Sequence, residues 1–456
     1  PNVTVDVTMV PFGNADQLFM TAAQGGQAPD LMRLSSDQLG AIGEVRVDGF
    51  PLLEDLRPHL SPQDRIIFEE RALQAMRYGD ALYGIPASQD CLSLIFNKAL
   101  FDGQGLDYPD ETWTEQDLLQ AAESLTYDDV QGLAIPIKTA YWWFPIQGGF
   151  GGSLFDENGE PTLNSNGSSE AMQWMLDLEL EHGVVATGTQ IEGMKNQFIS
   201  SKAAMIFDGP WNWATYEASR LNIGQTLLPL VESSGERMSP LVTYKGWTVS
   251  KQSANKVAAT ELALWLSSED VQKEFAVETY TMPTHVALES DSEITDDDVL
   301  SGFLEQTKQG TPAPTTRAMS LVYDPLSTAF EQAYSGIAST EEALSGANQQ
   351  LKEQMDSISR AEPFPLAEGY RTISIEFETT NATAYDVFVD GQIHTEIRVE
   401  SMSNGSLLGY DSCTDGVNEL PQIGQQRIAS ESVETIQCNL TGCLLYTSPS
   451  PRDSCA

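Results

Sequence analysis

From its start to about residue 361 the chain alternates short apolar runs with amphipathic helical stretches, and this alternation constrains the fold more than any other feature. A strand apolar on both faces and a helix with one apolar stripe bury those surfaces against each other, so the pattern predicts an α/β architecture. Val3, Val5 and Val7 alternate as a strand does, and Leu92-Ser-Leu-Ile-Phe96 and Ala203-Ala-Met-Ile-Phe207 read as buried strands. Thr114 stands before Glu115-Gln116-Asp117, with Leu118, Leu119, Ala122 and Leu125 on one face. That predicts a helix opened by a capping box in which Asp replaces Glu. Ser169 is expected to open a helix through Trp174 and Leu178 that stops at Gly183, and Ser339 with Glu342 to cap another. Val257, Ala258, Leu262, Trp265 and Leu266 are expected to fill one face of a further helix. Its Trp265, like Trp174, reads as a core residue, because helical aromatics are usually buried.

The pattern changes near Glu362-Pro-Phe-Pro365. Beyond it Ile373, Ile375 and Phe377 alternate with polar residues, and Tyr385, Val387 and Val389 lead into Asp390-Gly391, a strong hairpin signal. Residues 370–442 therefore read as a separate, small β-rich domain, incomplete as it stands. Residues 443–456 look like a translated sequencing adapter, an assembly artefact, and do not enter the fold argument. The chain opens at Pro1 without a Met, so its start is expected to be a cut one and the missing export signal is uninformative.

Charge narrows the partners. The 456 residues carry 66 Asp and Glu against 24 Lys and Arg, a net charge of -42. Nucleic acid and anionic lipid both need clustered cations, so both are excluded as partners; a hydrated surface suited to salty water is the simpler reading. No stretch approaches the roughly 20 apolar residues of a membrane helix. Of the five cysteines, Cys413 and Cys438 lie close enough in sequence to form a disulfide, as an exported protein might carry, or to remain two thiols. Sequons at Asn2, Asn166, Asn381, Asn404 and Asn439 are compatible with export.

Catalytic signatures are lacking. His59, His182, His285 and His394 have no zinc spacing, and there is neither a nucleophile elbow nor a phosphate-binding glycine loop. Asp156-Glu-Asn158-Gly159 resembles the start of a calcium loop, but Pro161 and Leu163 stand where later ligands belong, so a turn is expected. Paired carboxylates of a glycosidase carry no signal among so many acids. No cofactor or metal is expected. What stands out is aromatic residues beside Gly and Pro: Tyr141-Trp142-Trp143-Phe144-Pro145, Gly209-Pro210-Trp211-Asn212-Trp213, and Lys245-Gly246-Trp247. On loops such rings are hard to bury and suit the flat C–H patches of a sugar, while carboxylates and amides suit its hydroxyls.

These residues also carry a resemblance. Gln27-Ala-Pro-Asp30, Tyr83-Gly-Ile-Pro86 before Leu92-Ser-Leu-Ile-Phe-Asn-Lys98, Thr112-Trp113-Thr114 and Gly151-Gly-Ser-Leu-Phe-Asp156 come in order. Ala204-Met-Ile-Phe-Asp-Gly-Pro-Trp211, Pro283-Thr284, Ala318-Met-Ser320 and Ser339-Thr-Glu-Glu-Ala-Leu344 follow. From Val3 to about Met355 the chain is similar to the extracellular solute-binding proteins of ABC importers, family 1, of the maltose/maltodextrin-binding type. Relative to that family the first strand and helix are missing. The resemblance implies a periplasmic-binding-protein type II fold: two lobes, a hinge and an interlobe cleft, with the small β-rich appendage outside the family core. Lobe 1 would be 1–88 with 247–300, and lobe 2 would be 93–241 with 305–361, making a solute-binding domain of residues 1–361.

By the same resemblance, Asp90 falls on a hydroxyl-binding carboxylate at the hinge and Asp37 on a second acidic pocket position. Tyr141 and Trp142 fall on an aromatic pair, Trp211 on the Gly-Pro-Trp stacking residue, Tyr323 on a further stacker and Trp247 on a cleft-lining loop. Leu34 stands where the maltodextrin type has Trp, Gln38 replaces Arg and Thr139 replaces Glu, which argues against a maltodextrin but leaves a carbohydrate. The resemblance implies an extracellular or periplasmic monomer, anchored through a missing terminus or free, that passes a mono- or oligosaccharide to a membrane permease and catalyses nothing. Competing expectations are a binder of a cationic solute such as a polyamine or peptide, a carbohydrate-active enzyme, and a surface interaction protein working through residues 370–442.

Overall fold

The computed structural model describes residues 4–47, 50–79 and 81–359, and beyond them the strands Tyr370–Glu378, Ala384–Val389, Gln392–Ser401, Ser406–Cys413, Gln426–Ala429 and Val433–Thr441. Contacts divide the chain into two units. The first is Pro1–Leu53, Pro62–Tyr78 and Tyr83–Ile358; the second is Glu54–Ser61, Gly79–Leu82 and Ser359–Ala456.

The first unit contains two sheets, as the apolar runs predict. In one, Leu241–Val249 pairs antiparallel with both Leu31–Ser35 and Gly84–Asp90, and its first two residues run parallel to Thr311–Pro312. The other has the order Ile223–Thr226, Ser93–Asn97, Ala203–Asp208, Gln131–Ala134. Ser93–Asn97 and Ala203–Asp208 are buried along their whole length, which is why both are almost continuously apolar. Helices Glu115–Ser124, Ala140–Gly149, Asn166–Leu180 and Tyr323–Tyr334 are among those that complete that core, with Trp143 packed edge-on against Phe330 at 5.8 Å. The Thr114 cap forms as expected: its hydroxyl accepts from the Asp117 amide at 3.2 Å while Asp117 accepts the Thr114 amide at 2.9 Å. Ser339 and Glu342 make the same exchange.

The chain leaves the first sheet at Asp90 and enters the second at Ser93, and it returns ahead of Leu241. Residues at the start of the Glu70–Ala75 helix clamp these passages. Glu69 donates its amide to the Thr284 carbonyl at 3.0 Å, and its carboxylate accepts from Gln89 Nε2 at 2.9 Å. Gln89 Nε2 also donates to the Pro283 carbonyl at 2.8 Å, and Arg71 donates to the Gly310 carbonyl at 3.0 Å. Burial raises the Glu69 carboxyl to about 7, against the lowering effect of the Gln89 bond.

Several local expectations are corrected. Residues 4–10 form no strand, and Val5 and Val7 are exposed: no neighbouring strand pairs with them, and alternation alone cannot satisfy a strand's backbone. The helix expected from Ser169 starts a turn earlier at Asn166, because Ser165 accepts the Ser168 amide; it ends at Leu180, and Gly183 follows in the left-handed region. In the Lys256–Leu266 helix the buried residues are Ala259, Thr260 and Ala263, while Trp265 is 61% exposed, so Trp265 is not a core residue. The buried positions are small, Leu262, Leu264 and Leu266 are partly exposed, and Val257 and Trp265 face solvent. Asp156 accepts the Asn158 and Glu160 amides and Gly159 takes a positive φ, which makes the acidic tetrapeptide a turn.

In the second unit Tyr370–Glu378 pairs antiparallel with Val433–Thr441, and Ala384–Val389, Gln392–Ser401, Ser406–Cys413 and Gln426–Ala429 form an antiparallel meander. Val389 faces Gln392 across the expected hairpin; Asp390-Gly391 themselves, like Asn2, Asn381, Asn404 and residues 443–456, lie outside the described residues. The side chains of Cys413, Cys438, His394 and Asn439 do as well.

Glu69 yields a stability prediction. Its folded pKa of about 7 lies above the ordinary 4.5, so its contribution is fully favourable below pH 4.5 and is lost as pH rises through 7. Glu69→Gln is expected to raise stability at pH 8.5 by roughly 1–3 kcal/mol, with the gain vanishing near pH 4.5, as read by urea melts at the two pH values. An equal shift at both would show that the charge is not responsible.

Candidate functional site

The face of the first sheet nearest the chain crossing is built by strand alternation. Thr243, Lys245 and Trp247 point to one side of their strand; Ser88 stands opposite Lys245, Asp90 opposite Thr243, and Arg33 opposite Trp247. Their side chains join into a polar track. Asp90 Oδ1 accepts from Thr243 Oγ1 at 2.7 Å and from Lys245 Nζ at 2.6 Å, and Lys245 also reaches Thr243 Oγ1 at 2.6 Å. Arg33 Nη2 donates to Ser88 Oγ at 2.6 Å. Arg33 is exposed, yet surrounding atoms lower the pKa of its guanidinium by desolvation, while nearby Asp90 opposes that shift.

Aromatic residues approach the same place from other elements. Tyr141, on the Ala140–Gly149 helix, has its phenol pushed far up, first by burial and then by Asp90, Cys91, Tyr323 and Asp37. Tyr323, at the start of its own helix, is raised by burial and by Asp37. Asp37 lies in the short turn Ser36–Gln38 that follows the Leu31–Ser35 strand, and its Oδ1 is buried without a hydrogen bond to any described residue. Tyr141 thus feels Asp37, Asp90 and Tyr323, and Tyr323 feels Asp37, although the four come from separated segments. All four keep part of their surface accessible.

The other three expected residues differ among themselves. Trp142 is only 5% exposed; its Nε1 donates to the Phe207 carbonyl at 2.6 Å and its ring meets Tyr141 edge-on at 5.5 Å. It supports Tyr141 from the core. Trp211 is 44% exposed on the turn Pro210–Asn212, with its ring folded back over Gly209. Trp247 is half-buried, and its Nε1 has no partner among the described residues. Two settings expected as loops differ in the structure: Tyr141 to Phe144 are helical, and Lys245-Gly246-Trp247 lies within a strand. Pro145 inside the helix and the irregular register between Lys245 and Gly246 explain the loop-like composition of both. No group of three His, Cys, Asp or Glu among the described residues has metal-binding geometry.

Comparison with known proteins gives the family and the fold. Residues 1–273 match the model of the family "Bacterial extracellular solute-binding protein". The chain belongs to the bacterial extracellular solute-binding proteins. This solute-binding protein is 25% identical over 366 residues to the galactooligosaccharide-binding protein of Bacillus subtilis, covering 78% of this chain and 83% of the relative. It is 24% identical to the maltodextrin-binding protein MdxE of the same organism, covering 72% and 78%. Among solved structures, the maltose/maltodextrin-binding domain MalE from Bdellovibrio bacteriovorus bound to maltotriose superposes with a TM-score of 0.70 at 24% identity, covering 78% of this chain and 92% of that one. The Thermus thermophilus maltotriose binding protein gives 0.68 at 24%, covering 77% and 92%. The fold is accordingly the type II periplasmic-binding-protein fold, with two lobes, a hinge and an interlobe cleft. No helix among the described residues is long and apolar enough to cross a membrane.

Within the solute-binding protein, Arg33, Ser88 and Thr243 join Lys245 and Asp90 in the polar track without having been singled out from sequence. The polar alternation Thr243, Lys245 was the available signal, obscured by reading Lys245-Gly246-Trp247 as a loop. Asp90 and Lys245 are both largely buried, with side chains 16% and 10% exposed. Removing only the cation leaves a desolvated carboxylate, so Lys245→Met is expected to cost about 3 kcal/mol of stability, and Asp90→Leu added to it to recover part of the loss. Denaturant melts of the single and double variants check this; a fully stable Lys245→Met would mean that Asp90 is solvated.

Proposed function

We propose that this protein captures a mono- or oligosaccharide between its lobes, performs no chemistry on it, and delivers it as a monomer to the permease of an ABC importer. What supports this reading is that Tyr141 feels Asp37, Asp90 and Tyr323, and Tyr323 feels Asp37: two acceptor carboxylates beside the first sheet and two phenols on helices, all partly accessible. The lobes are taken as 1–88 with 247–300 and 93–241 with 305–361, and residues 370–442 as a separate small domain. A sugar ring would stack on Trp211 and Tyr323, with Tyr141 beside it on the buried support of Trp142. Trp247, Asp37 and Asp90 would line the opposite wall. The hydroxyls would donate to the carboxylates and accept from Arg33. Ligand favours closure only as far as it touches both walls, and a ring spanning Asp90 and Tyr323 does so.

The relatives' printed names support oligosaccharides as the class, galactooligosaccharides and maltodextrins among them. A cationic solute is disfavoured by the site itself: Lys245 and Arg33 stand beside Asp90 and would repel a polyamine. Calorimetry of the protein with maltotriose, a galactooligosaccharide and spermidine separates the readings. Sugar is expected to bind without turnover; spermidine binding alone would reverse the assignment. Trp211→Ala is expected to weaken sugar binding by roughly 1–3 kcal/mol, from the apolar area an indole covers. Unchanged affinity in that variant removes Trp211 from the site.

A further inference from the structure

We infer that Asp208 is a positioning residue that holds Trp211 in its sugar-stacking orientation, an assignment resting on the proposed stacking role of Trp211. Asp208 is the last residue of the Ala203–Asp208 strand and is fully buried. It takes part in none of the ion pairs found among the described residues. A carboxylate so placed is costly unless hydrogen bonds compensate it, and here three do. One oxygen accepts the Gly209 amide at 2.8 Å; the other accepts Asn212 Nδ2 at 2.9 Å and the Tyr216 hydroxyl. The first two bonds grip the turn at Gly209 and at Asn212, and Trp211 lies between them. Tyr216 comes from the helix Trp213–Ala218 that follows, so the third bond fixes the direction in which the chain leaves the turn.

The indole depends on that grip. A Cβ on Gly209 would lie 2.1 Å from the Trp211 ring, so the ring rests directly on the Gly209 backbone. Any rotation of the Gly209 peptide therefore moves the surface on which the indole sits. Trp211 itself is 44% exposed, and none of the ring contacts found among the described residues involves it. The carboxylate acts through the turn and stays out of reach of the ligand.

The test is a double-mutant cycle read by calorimetry with maltotriose, or with a galactooligosaccharide should maltotriose give no heat. Asp208→Asn keeps the side-chain size but turns one acceptor into a donor facing Asn212 and Tyr216. It is expected to weaken binding about tenfold, on the scale of a lost hydrogen bond to a charged group. In a Trp211→Ala background the same change is expected to cost nothing further. A merely structural role would weaken binding by the same factor in both backgrounds, and that result, or wild-type affinity in a folded Asp208→Asn, overturns the proposal. Should Asp208→Asn not fold, Tyr216→Phe removes one bond to the carboxylate and is expected to give a smaller loss, again confined to the background that retains Trp211; equal losses in both backgrounds overturn the proposal. If Trp211→Ala alone leaves affinity intact, the stacking reading fails first and this inference with it. Additive losses beside a weakened Trp211→Ala sink only the role of Asp208.

Discussion

The register of Leu241–Val249 against Gly84–Asp90 governs the rest of the structure. It sets Asp90 opposite Thr243 and Ser88 opposite Lys245, so that the Asp90 carboxylate is met by a hydroxyl and an ammonium. Because side chains alternate with a period of two, a slip of one residue would turn Thr243, Lys245 and Trp247 to the far face and bring Tyr244 and Gly246 round. Tyr244 is 1% exposed, with its phenol pushed up to about 12 by burial; that side of the strand is interior. Register is strongly specified here because one face of the strand has a core to enter and the other a polar row to complete.

The second sheet contributes in a different way. At the end of the Ala203–Asp208 strand, the Phe207 carbonyl receives the Trp142 indole N–H and Asp208 receives the turn that bears Trp211. Two aromatic elements are thus fixed from adjacent residues of one fully buried strand, whose own position is set by pairing with Ser93–Asn97 and Gln131–Ala134. Rigid strands place binding groups more accurately than free loops do, since the backbone under each group is already hydrogen-bonded and packed. The proposed sugar site needs that accuracy: flat rings and hydroxyls discriminate only when stacking planes and acceptors stay in place.

Acidity and specificity are separate matters in this molecule. A net charge of -42 is spread over the surface, whereas the track beside the crossing mixes signs, with Arg33 and Lys245 beside Asp90. The surface keeps the protein hydrated, and the near-neutral track suits an uncharged, hydroxyl-rich solute.

The sequence determined by itself what depends on neighbours a few residues away. Leu92–Phe96 and Ala203–Phe207 are apolar runs and became buried strands, and Thr114 and Ser339 cap the helices they precede, because strand burial and capping are written in contiguous residues. The resemblance of ordered short motifs carried the fold and drew attention to Asp37, Asp90, Tyr141 and Tyr323. Which ring of an adjacent pair turns inward was not legible. Tyr141 and Trp142 are alike in sequence setting, and only packing against Phe207 sends Trp142 into the core and leaves Tyr141 partly open. Nor was the partnership of Asp90 with Lys245, 155 residues away, or the exposure of Trp265 on a helix whose buried positions are small. Those outcomes belong to the tertiary structure, because long-range pairing and the choice of buried face are settled by which surfaces meet, and no local pattern encodes that meeting.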